Sequence, residues 1–154
     1  MGKVTRYGAL IDAALAQARI AASHDDGPIG AVVADPSGQI IGVGRNLREL
    51  NSDPLAHAEV VALRDAAARR GSWRLDDCTI AVTLEPCTMC AGAIAQARIH
   101  TLVFGAFDPK AGAVASLFDV LRDPRLPHRV QVVGGIREAE CAQLLTHFYI
   151  RARQ

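Results

Sequence analysis

The sequence has no apolar run approaching the ~20 residues a membrane-spanning helix needs, so no membrane association is expected. It also lacks the apolar core of a signal peptide. The opening stretch "MGKVTRYGALIDAALAQARIAASHDDG" is interrupted by Arg6, Asp12, Gln17 and Arg19 and reads as an amphipathic helix. Gly2 does not start a myristoylation motif, because Tyr7 stands where that motif wants Ser or Thr. The expected location is cytoplasmic, where cysteines stay reduced. A dominant charge sign is missing as well: the net charge is +1, too little to announce a nucleic-acid binder. Only the last stretch leans basic, with Arg122, Arg125, Arg129, Arg137, Arg151 and Arg153 against Asp123, Glu138 and Glu140. That imbalance fits phosphate contacts, but on charge alone a solvated helix surface is the preferred reading. No repeat, low-complexity tract or Ser/Gly linker divides the 154 residues, so residues 1–154 are expected to form one domain. There is no second close cysteine pair. Cys87 and Cys90 are three apart, while Cys78 and Cys141 stand alone and are expected to be free, buried thiols.

What is present alternates between strand and helix patterns. Tyr7, Leu10, Ile11, Ala14, Leu15 and Ala18 share one helical face, and Gly27-Pro28 ends that helix. "IGAVVAD" and "QIIGVGRN", joined by Pro36-Ser37-Gly38, predict a hairpin. Asp53-Pro54 predicts a helix start, with the helix running through "LAHAEVVALRDAAARR" to Gly71. "CTIAVTL" predicts a buried strand, and Pro86 a helix start that carries Cys87 and Cys90. "HTLVFGA" predicts a strand, Ser116 to Leu121 a short helix, "RVQVVGG" a strand and "REAECAQLLTHFYIRAR" a closing helix. The expected architecture is α/β, a mixed sheet with helices on both faces.

Two sulfurs at i and i+3 of a helix start can reach one ion, and the positive end of the helix favours thiolates. A redox pair and two inert buried cysteines remain alternatives. His57, in the first turn of the preceding helix, would supply a third donor if both helices start at neighbouring strand ends. Three donors leave a tetrahedral ion an open position, the mark of a catalytic rather than structural site. Glu59, two residues on, could carry protons; an exposed helix glutamate is the plainer alternative.

"HAE" at 57–59 and "PCTMC" at 86–90 resemble the H-x-E … P-C-x-x-C signature of the zinc-dependent cytidine/deoxycytidylate deaminase superfamily. "GPIGAVV", "GRN", "DPLAHAEVVALR", "VTLEPCTMCAGAI", "VFGAFDPKAGA", "SLFDVL" and "HRVQVVGG" look like the bacterial tRNA-specific adenosine deaminases, over nearly the whole chain. The resemblance implies a three-layer α/β/α cytidine-deaminase-like fold with a five-stranded mixed sheet. It implies Zn2+ held by His57, Cys87 and Cys90, with Glu59 as proton shuttle. It implies substrate contacts from Asn46, Ala58 and the Leu84-Glu85 turn, where the Glu85 side chain caps. Asp108, His128, Phe148 and Arg151 would approach the anticodon stem-loop of a tRNA, and the protein would be a homodimer. Pro127, before His128, departs from the polar residue expected there.

The implied reaction is hydrolytic deamination of adenosine to inosine at the wobble position of a tRNA anticodon, by zinc-activated water and the glutamate shuttle. A small-molecule deaminase of guanine, cytosine or a nucleoside would share every metal residue. A non-catalytic zinc-stabilised binding module would need neither Glu59 nor an open position.

Overall fold

The computed structural model describes residues 3–152, with side chains from Arg6 to Ala152. Helix α1 (Lys3–Ser23) leads into strands β1 (Gly30–Ala34) and β2 (Ile40–Arg45), then a one-turn helix α2 (Arg48–Asn51) and helix α3 (Ala58–Arg70). Strand β3 (Thr79–Leu84), helix α4 (Thr88–Gln96), strand β4 (Thr101–Ala106), strand β5 (Gln131–Val133) and helix α5 (Glu138–Ala152) complete the order. The five strands lie in the order β2-β1-β3-β4-β5. The β2–β1 and β1–β3 pairs are antiparallel, whereas β3–β4 and β4–β5 are parallel. The sheet is therefore mixed, as the alternation of patterns predicts.

Successive strand residues point to opposite faces, and both faces are covered. Val33, Ile80, Val82, Leu102 and Phe104 pack with Ala62, Leu63 and Ala66 of α3 and with Ala91 and Ile94 of α4. Val32, Ala81 and Val103, the intervening residues, pack on the other face with Leu10, Ile11 and Leu15 of α1 and Cys141 of α5. This two-sided burial explains why the central strands read as continuous apolar runs. Cys78 and Cys141 are free and buried, and burial pushes their thiols up, to about 12 and about 11. None of the described helices is long and apolar enough to cross a membrane.

Helix α3 lies against β2 because β2 presents glycine there. A Cβ on Gly44 would sit 2.2 Å from the Ala58 carbonyl oxygen and 2.5 Å from the Ala62 nitrogen. Those contacts are with helix backbone, so the helix itself would have to move. Gly44→Ala should therefore lower the unfolding free energy by about 1–3 kcal/mol, the cost of overpacking. Chemical denaturation measures it, and an unshifted midpoint would show that α3 accommodates the methyl.

Two sequence expectations are corrected. Asp53-Pro54 does not begin a helix: the Asp53 carboxylate accepts the Leu55 amide at 2.9 Å and closes a turn, and α3 starts only at Ala58 with His57 as its N-cap. The unanticipated α2 is capped from afar. Asp26, only 1% exposed, accepts the amides of Glu49 and Leu50 at 2.7 and 3.1 Å. Residues 116–121 are not helical either. They form an irregular loop with one isolated bridge between Val114 and Asp119.

Candidate active site

His57 and Cys87 are the N-cap residues of α3 and α4, and Cys90 lies one turn into α4. Both helices cover the same face of the sheet, so their starts fall side by side. His57 Nδ1 is 3.6 Å from Cys87 Sγ and 3.4 Å from Cys90 Sγ, and all three donor atoms lie within 4.8 Å of one another. A tetrahedral ion with nitrogen and sulfur at ordinary bond lengths sets N···S edges of about 3.5 Å. The donor set thus fits a metal ion.

The electrostatics agree with a cation-binding cluster. Hydrogen bonding from Cys90, then from His57, holds the Cys87 thiol down to about 3, so it is a thiolate. The proton-sharing bond with Cys87 raises His57, and the same thiolate pushes the Cys90 thiol far up. One negative charge is shared among three soft or borderline donors, an arrangement a metal ion stabilises by replacing the shared protons. Glu59, in the first turn of α3, is 4% exposed. Burial lifts its carboxyl to about 7, with His57 and Cys90 opposing that rise.

These residues open into a cavity of about 220 Å³. Asn46, Ala58, Leu84, Glu85 and Asp108 line it together with His57, Glu59 and Cys87. Asn46 is buried, and its side-chain oxygen accepts the Arg48 amide at 3.1 Å. The Glu85 side chain does not cap α4 as the resemblance implies. Its carboxylate instead accepts amides from Asp108, Val114, Ala115 and Ser116 at 3.0, 3.3, 2.9 and 2.8 Å, and the Ser116 hydroxyl. Burial alone would raise the Glu85 carboxyl, but these hydrogen bonds outweigh it and hold the group below the usual carboxylate range.

His128, Phe148 and Arg151 lie outside this cavity. His128 Nε2 donates to the Ile99 carbonyl at 2.8 Å. Phe148 and Arg151 line a separate hollow with Ala22 and Asp25. The wall contributed by α5 is Tyr149, and the short α2 adds Arg48. Neither was singled out by sequence. "HFYI" offers consecutive bulky residues, and nothing local says which one faces the site.

A family profile described as MafB19-like deaminase matches residues 8–152. The tRNA-specific adenosine deaminase of Haemophilus influenzae is 48% identical over 127 residues, covering 82% of this chain and 73% of the relative. A solved structure from work on A-to-I editing by tRNA:A34 deaminases at the wobble position of transfer RNA is 44% identical. It superposes with a TM-score of 0.82 over 88% of this chain and 98% of its own. The guanine deaminase of Bacillus subtilis is 37% identical, with a TM-score of 0.63 over 70% of this chain and 66% of its own.

Proposed function

The chain belongs to the MafB19-like deaminase family, and from that membership we propose that it hydrolyses adenosine to inosine at the wobble position of a tRNA anticodon. The observation that carries the proposal is the three-donor cluster opening, beside a buried glutamate, into one small cavity. The similarity to the Haemophilus influenzae enzyme and to the wobble-editing structure supplies the substrate.

In this reading His57, Cys87 and Cys90 would hold zinc. The bound ion would supply Lewis-acid activation, lowering the pKa of the attacking water toward neutrality. Glu59 then moves the protons. Its carboxylate takes one from the water as oxygen attacks C6, passes it to ring nitrogen N1, and carries the second to the exocyclic amine. Water and adenosine become inosine and ammonia. Burial raises the Glu59 carboxyl, which favours its holding a proton between the two transfers. Asn46, Ala58 and Leu84 orient the base, and Tyr149 closes the side of the cavity. The cavity is only about 220 Å³, far smaller than an anticodon stem-loop, so most of the RNA would extend over the surface. Asp108 at the cavity rim, and His128, Phe148 and Arg151 beyond it, are assigned to that outer contact.

Residues 1–154 act as one deaminase domain in the cytoplasm, as a homodimer. The surface suited to self-association is a hollow of about 540 Å³ between α3 and α4, lined mainly by apolar residues such as Val60, Leu63, Ala67, Ala93 and Ala97, with Arg64 and Gln96 among them. Beside it stands Trp73, 59% exposed. Apolar surface of this kind is characteristic of homodimer contacts.

The likeness to guanine deaminase supports a second reading, a free-base substrate. Its lower identity and coverage place it behind the first. The deciding experiment incubates zinc-loaded protein with an anticodon stem-loop bearing adenosine at the wobble position, and in parallel with free guanine, cytidine and adenosine. Inosine in the RNA is expected. Turnover of a free base or nucleoside without inosine in the RNA would transfer the assignment to the second reading and leave the metal site standing.

A further inference from the structure

Among the described residues Glu85 is the side chain that accepts the most hydrogen bonds, and it takes no part in the proposed proton transfers. It is 2% exposed at the end of β3. Its Oε1 accepts the Asp108 amide and the Ser116 hydroxyl, and its Oε2 accepts the amides of Val114, Ala115 and Ser116. A carboxylate is acceptor-only, and five donors nearly saturate it. Residues 108–116 are wrapped around this one group. The wrap is close: a Cβ on Gly112 would sit 2.3 Å from the Glu85 carboxyl carbon. A second tie comes from the Ala113 amide, which donates to the Pro86 carbonyl at 2.8 Å.

The wrapped segment reaches the site. Asp108 and Ala111 line the cavity, and the Asp108 carboxylate accepts the amides of Lys110 and Ala111 at 3.1 and 3.2 Å, fixing the turn between them. The donor atoms for metal come from α3 and α4, not from this segment. One wall of the cavity therefore has its position set by a buried carboxylate, while the chemical groups are set elsewhere.

We infer that Glu85 is a positioning residue: by gathering the amides of 108–116 it fixes the cavity wall that holds the substrate. The inference builds on the deaminase reading but does not depend on which substrate is turned over. Glutamine at 85 keeps the size of the side chain but aims an NH2 group at backbone donors, so the loop cannot close around it. Losing about 1.4–2.8 kcal/mol of substrate contact along a displaced wall weakens binding by about 10- to 100-fold.

The test compares Glu85→Gln and Gly112→Ala with wild type, using zinc content, circular dichroism, KM and kcat. Gly112→Ala pushes the loop away while leaving Glu85 in place, so it carries the test even if Glu85→Gln fails to fold. The expected result is full zinc loading, with KM for the stem-loop raised about 10- to 100-fold and kcat lowered much less. Ser116→Ala, which removes only the hydroxyl donor, should move KM in the same direction by less. Unchanged KM in Gly112→Ala would overturn the inference. So would zinc loss with kcat and kcat/KM falling together, since Glu85 would then only brace the metal ligands. Absence of inosine in the wild-type stem-loop is a failure of the tRNA reading alone. The same KM-against-kcat comparison is then made on the free base or nucleoside that wild type turns over.

Discussion

Replacing Glu59 by glutamine should leave a folded, zinc-loaded protein whose deamination rate is lower by about 100- to 10,000-fold. The size of the effect follows from what glutamine keeps and loses. It matches the shape of the side chain in a site where the carboxyl is almost wholly buried, so packing at the start of α3 is preserved. It cannot take a proton from water or give one to the ring nitrogen. Glu59 is not among the three clustered donor atoms, so metal content should not change. Metal analysis beside single-turnover kinetics separates the two properties. Stoichiometric zinc with undiminished turnover would remove Glu59 from the reaction. Loss of zinc would instead make it a ligand.

The second large effect concerns the metal itself. Cys87→Ala should lower zinc affinity by well over the roughly 10- to 100-fold that loss of an outer-shell partner costs, because a primary donor disappears. Cys87 is also the group through which the cluster shares its negative charge. It bonds to His57, and its own thiol is held down to about 3. Without it, His57 and Cys90 remain as a pair, and two donors hold zinc poorly. Dialysis against a chelator followed by metal quantification gives the answer. Wild type should recover activity when zinc is returned, whereas Cys87→Ala should not. A variant that retains one zinc per chain through dialysis would mean that the ligand set is wrong.

The sequence was most legible where local pattern and tertiary need coincide. β1, β3 and β4 are predominantly apolar because helices cover both sides of them, and their composition announces it. The first helix shows its inward face in the spacing from Tyr7 to Ala18, and Gly71 stops α3 in a left-handed conformation with φ 75°. His57, Cys87 and Cys90 could be grouped from spacing because each sits at a helix start that follows strand or turn signals.

Where a distant side chain overrides the local pattern, the sequence misleads. "SLFDVL" has the apolar spacing of a short helix, but Glu85 folds the residues before it into a loop, and the amides of Leu117 and Phe118 donate to the Gly112 carbonyl and that of Val120 to the Ala113 carbonyl, so no regular i to i−4 ladder forms. Asp53 looks like a cap and closes a turn, while the group that caps α2 is Asp26. Tyr149 escaped for a different reason. The phase of α5 is set by Cys141 packing against β4 and its neighbours, and no rule of composition ranks Tyr149 above Phe148.

All three metal donors lie on consecutive βα units in the middle of the chain, while one wall of the cavity comes from the last helix. During synthesis the donors therefore emerge first, and Tyr149 emerges only after the strands that anchor α5. A change confined to α5 should therefore reshape the cavity wall while leaving the three clustered donors as they are.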